Sequence, residues 1–317
     1  MADRMVRVYF WVSVAWVSGV LLSLFFGLDP DQARLILTEL RLPRLLLALS
    51  VGGALAISGL VLQTTLGNPL AEPYTLGVAS GAALGAALGS SWDGAGGALS
   101  LESGATLGAG CAILLLLRGL RKRSRSGDSM ILGGVMLSLL LAGFLSLWMG
   151  LADPSGVRSL QFWLLGDLGR ATYRTALSVL VLGLFGMVYF TAVSRKLDAF
   201  LFGEAEVEGF GVSLEKSRRM FVLWVSVLVG FCVSSAGMIG FVGLAIPHVL
   251  RRMAGTALHR HLVPLCWLCG GAVLSAADAL ARGVASPKEI PVGAVMVVVG
   301  VPVFFWIHAR MRGRVES

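Results

Sequence analysis

The sequence predicts an all-α polytopic membrane protein with ten transmembrane helices, and three observations carry that prediction. Hydrophobic residues make up 56% of the 317 positions and charged residues 14%, whereas soluble domains carry about a quarter charged residues. The mean hydropathy is +0.82, and the charges are clustered. They leave apolar runs of about 20 residues, the length of helix that crosses a hydrocarbon core about 30 Å thick. Sustained apolar/polar alternation, the mark of a membrane β-strand, is absent.

The ten spans follow in order. The first, 6–28, stands behind Arg4 and Arg7 and superficially resembles a secretory signal. Trp11 and Trp16 lie inside it and no small-residue cleavage site follows, so it reads as a retained helix. The second, 44–66, is almost unbroken Leu, Ala, Val and Gly. Between it and the third, 74–91, lies a turn that holds Asn68, Pro69, Glu72 and Pro73. Each proline disfavours helical geometry in the residue before it, so the chain must stop and reverse there. A helical hairpin with a stiff polar tip is expected. The third span has glycine at 77, 81, 85 and 89, a flat stripe suited to close helix packing. Gly104 and Gly108 repeat that pattern in the fourth, 98–118. The fifth, sixth and seventh spans are 129–151, 173–193 and 217–237. The eighth, 239–254, is the weakest, broken by Gly240, Gly243 and Pro247. The ninth, 262–281, carries Asp278 one turn before Arg282, an ion-pair spacing. The tenth is 291–309. Residues 1–317 read as one transmembrane domain.

Charge sets the orientation. With the N-terminus in the cytoplasm, eighteen of the 26 Lys and Arg residues fall inside. The other eight, outside, are Arg34, Arg41, Arg44, Arg158, Arg170, Arg174, Arg282 and Lys288. Both termini are therefore expected in the cytoplasm. The turn at 68–72 is the only inside turn without a cation. The segment Arg118–Arg125 reads as a basic collar that orients the chain and meets anionic lipid. The loop 194–219 differs in kind. It mixes Asp198, Glu204, Glu206, Glu208 and Glu215 with Arg195, Lys196, Lys216, Arg218 and Arg219, and adds Leu197, Phe200, Leu201, Phe202, Val207, Phe210 and Val212. A connector does not need so many apolar residues, so an amphipathic helix that docks into a partner's groove is expected.

Several chemistries are excluded. The net charge of +8 is accounted for by loop bias rather than nucleic-acid binding. Cys111, Cys232, Cys266 and Cys269 all lie in apolar runs and read as small packing residues. No lysine follows a glycine, so there is no phosphate-cradling P-loop. His248, His259, His261 and His308 are dispersed, and no catalytic constellation, metal centre or cofactor site is expected in this chain. Ion-coupled carriers need ionisable groups near the bilayer midplane. Here the midplane polar residues are uncharged: Ser50, Ser58, Gln63, Thr64, Ser138 and Ser146. That deficit points to a solute-conducting subunit driven by a separate ATPase; a secondary transporter of similar span number is the reading from another class.

Several stretches in order resemble the FecCD-type permeases, membrane subunits of ABC importers for iron–siderophores, haem and vitamin B12. They are Arg41-Leu-Pro-Arg44, Gly52 to Gly59 with Gln63, Asn68 to Pro73 with Leu76-Gly-Val78, and Phe162-Trp-Leu-Leu-Gly166. Further on come Ile239 to Leu244, Ile246-Pro-His248, Ala277-Asp278, Ala281-Arg282 and Glu289 to Gly293 with Pro302. The resemblance implies a type II ABC importer permease architecture with ten helices, in the bacterial inner membrane. It also implies a homodimer, two cytoplasmic subunits that use ATP and Mg, and an extracytoplasmic binding protein. Residue by residue, it makes Asn68 and Leu70 an inner gate, and Arg41, Arg44 and Arg282 docking groups for the binding protein. It makes Gly203, Glu204, Glu206, Glu208, Gly209, Phe210 and Gly211 the contact for the ATPase. Iron–siderophore is the first expectation for the solute, with B12 and haem beside it. Two departures stand out: Asp128 within 126–129, where small hydroxyls are usual, and Met238 in place of a proline in Gly237-Met238-Ile239-Gly240.

Overall fold

Every regular element that the computed structural model describes, over residues 2–25, 33–93, 101–119, 127–284 and 289–312, is helical. The long helices are α1 (Ala2–Phe25), α2 (Leu42–Thr65), α3 (Val78–Asp93), α4 (Leu101–Gly119) and α5 (Gly127–Leu151). After them come α6 (Pro154–Leu164), α7 (Tyr173–Ala192), α8 (Leu214–Ala236), α9 (Val242–Ala254), α10 (His259–Gly283) and α11 (Val292–Arg312). A helix coincides with each of the ten predicted spans. Seven of them are long and apolar enough to cross a membrane. The apolar stretches Val78–Ser91 and Val292–Pro302 are shorter, and α9 has 13 residues, about 20 Å at 1.5 Å per residue.

α2 is the hub. Its most apolar window is 89% buried, and it packs against α7, α8, α9 and α10. Close approach is what its glycines are for. A Cβ on Gly52 would meet the Gly270 carbonyl oxygen of α10 at 2.3 Å, and one on Gly59 would meet that of Gly243 in α9 at 1.8 Å. The predicted glycine stripe joins α3 to α4: a Cβ on Gly85 would lie 2.2 Å from the Gly104 oxygen, and one on Gly108 2.1 Å from the Gly81 oxygen. At the other extreme is α5, whose window is 11% buried.

Three features go beyond the sequence or depart from it. Helix α6 lies between predicted spans and was not anticipated. Its eleven residues turn Leu160 and Trp163 into the core but are too few and too polar to register as a span. The midplane polar residues do not line one surface. Ser50, Ser58, Gln63 and Thr64 are buried within α2, whereas Ser138 and Ser146 lie on α5 and return their hydroxyls to the Gly134 and Ala142 carbonyls. The loop after α7 is not one amphipathic helix but two short ones, Ser194–Ala199 and Glu204–Val207, with 3-10 turns at Phe200–Phe202 and Glu208–Phe210. Of the basic collar, Arg118 closes α4 and is exposed, while Arg121, Lys122, Arg123 and Arg125 lie outside the described residues, as do Ser126 and Lys288.

Candidate gate and coupling site

The turn after α2 is built by local hydrogen bonds that its sequence dictates. Gly67 takes a left-handed φ of 63°, which only glycine adopts without steric cost. The N–H groups of Leu66, Gly67 and Asn68 return to the carbonyls of Leu62, Thr64 and Gln63, so the turn continues the last turn of α2. The Asn68 side-chain oxygen accepts from the Leu70 N–H at 2.8 Å, and the Asn68 carbonyl accepts from the Ala71 N–H at 3.0 Å. Pro69 and Leu70 form the tip, and Leu70 is 72% exposed. An apolar side chain is thus held outward on a rigid, self-bonded turn.

Beyond the tip, the turn is tied to a break between α8 and α9. Gly237 has φ 70° and Phe241 φ 76°, a conformation rare for a residue with a side chain. The Glu72 carboxylate accepts the Phe241 N–H at 2.7 Å. The Tyr74 hydroxyl takes the Ile239 N–H and donates to the Ile239 carbonyl, both at 2.9 Å. These two side chains supply the hydrogen bonds that residues 237–241, lacking helix, would otherwise lose. Burial pushes the Glu72 carboxyl up, and the Phe241 N–H opposes this without cancelling it.

A polar network surrounds the end of α2. Gln63 donates to the Gly243 and Leu244 carbonyls and accepts from Arg251 at 2.7 Å. Arg251 also donates to the Thr64 hydroxyl at 3.2 Å, and that hydroxyl lies 2.9 Å from Nε2 of His259. Nδ1 of His259 and its backbone N–H both point at Oδ1 of Asp198, at 2.7 and 2.9 Å. Burial alone would push the Asp198 carboxyl up; the bonds from His259 outweigh it and hold the group below the usual carboxylate range. One residue on, the Thr65 carbonyl accepts from Arg218, whose guanidinium pairs with Glu204. Glu204 also accepts the N–H of Gly127, the first residue of α5, at 2.9 Å.

The loop that carries Asp198 and Glu204 has two faces. Leu197, Phe200 and Val207 are buried, while Leu201, Phe202 and Phe210 are exposed. The Phe202 and Phe210 rings stack outward with centroids 5.1 Å apart. Glu206, Glu208 and Gly209 are exposed beside them. Gly203 and Gly211 bound this tip with φ of 97° and 72°.

Arg41, Arg44 and Arg282 come together at the opposite ends of α2 and α10, with much of their charge already engaged. Arg44 reaches Asp278 at 2.9 Å and Glu289 at 2.8 Å, and Arg282 reaches Asp278 at 3.2 Å, as the spacing predicted. Arg41 donates to the Leu24 carbonyl and Arg282 to that of Ser23, which ties α1 to the cluster. Arg41 is 8% exposed. Arg170 and Arg174, nearby in sequence to Asp167, face solvent. Sequence reasoning missed Tyr74, Arg218, Arg251 and His259 as parts of the site at the end of α2. The available signal was a cationic or titratable residue at the very start or end of an apolar span.

The FecCD transport family model matches residues 6–310. The chain belongs to the FecCD transport family. Among relatives of this FecCD protein, the vitamin B12 import system permease protein BtuC of Yersinia pestis is 36% identical over 299 residues, covering 89% of this chain and 84% of that one. BtuC of Vibrio vulnificus is 35% identical over 304 residues, covering 93% and 88%. A solved chain described as an inward-facing, metal-chelate type ABC transporter superposes with a TM-score of 0.86 at 29% identity, over 96% of this chain and 99% of that one. The complex PsaBC of Streptococcus pneumoniae with Fab shares the fold, with a TM-score of 0.54 at 14% identity. The FecCD chain is a multi-span permease subunit of the metal-chelate and B12 type of ABC importer.

Proposed function

We propose that this chain moves a corrinoid of the vitamin B12 class inward, as one of two identical subunits around a shared pathway. Ten membrane helices in a type II arrangement, both termini in the cytoplasm and a bacterial inner membrane location complete the reading. The B12 permeases among its relatives favour a corrinoid over the iron–siderophore first expected; haem and siderophores belong to the same class of large chelates. A second copy would cover α5, the least buried of the long apolar helices. Two cytoplasmic ATPase subunits, using ATP and Mg, would meet the tip at 202–211, which exposes the paired Phe202 and Phe210 rings together with Glu206 and Glu208. An external binding protein would meet the rim around Arg41, Arg44 and Arg282. There three guanidiniums stand against two carboxylates, Asp278 and Glu289, so the rim keeps positive character.

Asn68 and Leu70 would form the inner gate: Asn68 locks the turn and Leu70 blocks the exit. The carrying observation is that this exposed apolar tip is rigid within itself and bonded to both the α8–α9 break and the network leading to the 194–211 loop. The chain itself breaks no covalent bond. Reconstitution tests it: liposomes that hold the chain with its ATPase and binding protein should accumulate labelled cobalamin only with ATP inside. Uptake by the chain alone down a solute or ion gradient would instead identify a secondary transporter, and ATP-driven uptake of a ferric siderophore but not cobalamin would reassign the solute.

A further inference from the structure

Two polar connections, each through a buried central residue, run from the 194–210 loop to the last turn of α2. The first is Asp198 to His259 to the Thr64 hydroxyl, with contacts of 2.7 and 2.9 Å through an imidazole that is 0% exposed. The second is Glu204 to Arg218 to the Thr65 carbonyl, through a guanidinium that is 3% exposed. Both reach α2 three to four residues before Asn68, and the N–H groups of residues 66–68 bond back onto that same turn. A brace alone does not require charge, because apolar side chains of like volume hold buried helices together at least as well. What hydrogen-bonded pairs add is a fixed direction and register between the parts they join. Glu204 also holds the first N–H of α5, so one carboxylate joins the loop, α8, α5 and, through Arg218, α2.

We propose that Asp198–His259–Thr64 and Glu204–Arg218–Thr65 are twin linkages that make the loop and the gate turn move as one body. His259 and Arg218 are the positioning residues. Had the linkages been absent, the loop could swing on its glycine-bounded tip without moving Leu70. With both present, displacement of the 194–210 segment is passed to the end of α2 and thence to the 66–72 turn. The proposal rests on the reading of that loop as the ATPase contact.

The test uses the full transporter in nanodiscs, with Cys111, Cys232, Cys266 and Cys269 replaced and nitroxides placed singly at Leu70→Cys or Arg195→Cys. Addition of ATP should change the spectrum at both positions in the otherwise native chain. In the double variant Thr64→Val/Arg218→Met, both of whose sites are buried within this chain, the change at position 195 should persist and that at position 70 should vanish. An undiminished change at position 70 overturns the proposal. A native chain that responds at 195 but not at 70 overturns it too, and one that responds at neither overturns the ATPase-contact reading beneath it. If the double variant does not assemble, Thr64→Ser against Thr64→Val decides: the serine keeps the hydroxyl and the full response at position 70, the valine leaves only the Arg218 linkage and must diminish that response, and equal responses refute the linkage through His259.

Discussion

At the residue scale, the molecule uses few charges and, among the described residues, sets the buried guanidiniums and carboxylate against backbone groups or opposite charges. Asp198 is the clearest case, because one oxygen takes both the side chain and the backbone N–H of His259. Its pKa lies below the ordinary value, since the His259 bonds overcome the effect of burial. A carboxyl whose folded pKa is depressed adds stability that is complete above the unfolded value, about 3.9. That stability is lost as pH falls through the folded value. Asp198→Asn should therefore weaken hydrogen-exchange protection of residues 194–199 relative to the native chain by a constant factor between about pH 5 and 8. The gap should close only in stronger acid. A gap that instead changes near the ordinary imidazole range, about pH 6.5, would assign the titration to His259.

At the element scale, helix spacing rather than side-chain chemistry sets the packing. Gly59 and Gly243 bring α2 and α9 into backbone contact, and Gly81, Gly85, Gly104 and Gly108 do the same for α3 and α4. Overpacking such contacts costs about 1–3 kcal/mol or more. Gly59→Ala and Gly104→Ala should each lower the melting temperature in detergent, the former more, because its new Cβ would meet a buried carbonyl at 1.8 Å. Gly110→Ala is the control: a Cβ there meets nothing within 4 Å, so melting should not fall. The α3–α4 stripe was legible in the sequence because period four shows without a partner. The Gly59–Gly243 contact was not, since neither glycine belongs to a period-four run in its own helix and only the tertiary arrangement brings them together. The same holds for the site. Pro69, Pro73 and Gly67 announced the turn, and the cation-free loop marked it as unusual. The bonds from Glu72 and Tyr74 to residues 239 and 241 span more than 160 positions, beyond anything local pattern can predict. The 194–211 loop was legible as apolar and charged together, but which half is buried depended on α8 and α10.

At the scale of the whole molecule, the two ends differ in what their charges do. The end that carries the 194–211 loop uses Asp198 and Glu204 to join that loop to α2, while the opposite end gathers Arg41, Arg44, Arg282, Asp278 and Glu289 into one cluster that closes α1, α2 and α10. Asp278 is 0% exposed, so Arg44 is both a rim charge and the partner of a buried carboxylate. Those roles predict separable effects. Arg44→Glu should weaken association with the binding protein and also destabilise the chain, by less than the roughly 3–5 kcal/mol that a wholly unpaired buried charge costs, because Arg282 stays on Asp278. Arg174→Glu, on an exposed side chain at the start of α7, should leave melting unchanged and weaken association alone. Its effect should shrink as salt is raised from about 0.01 to 0.15 M, because the screening length falls from about 30 to 8 Å. Binding isotherms at the two salts, beside thermal melts of the same proteins, separate the roles. If Arg44→Glu destabilises the chain yet binds like the native protein at low salt, the arginine cluster is a structural clasp and the docking surface lies with the exposed arginines beside it.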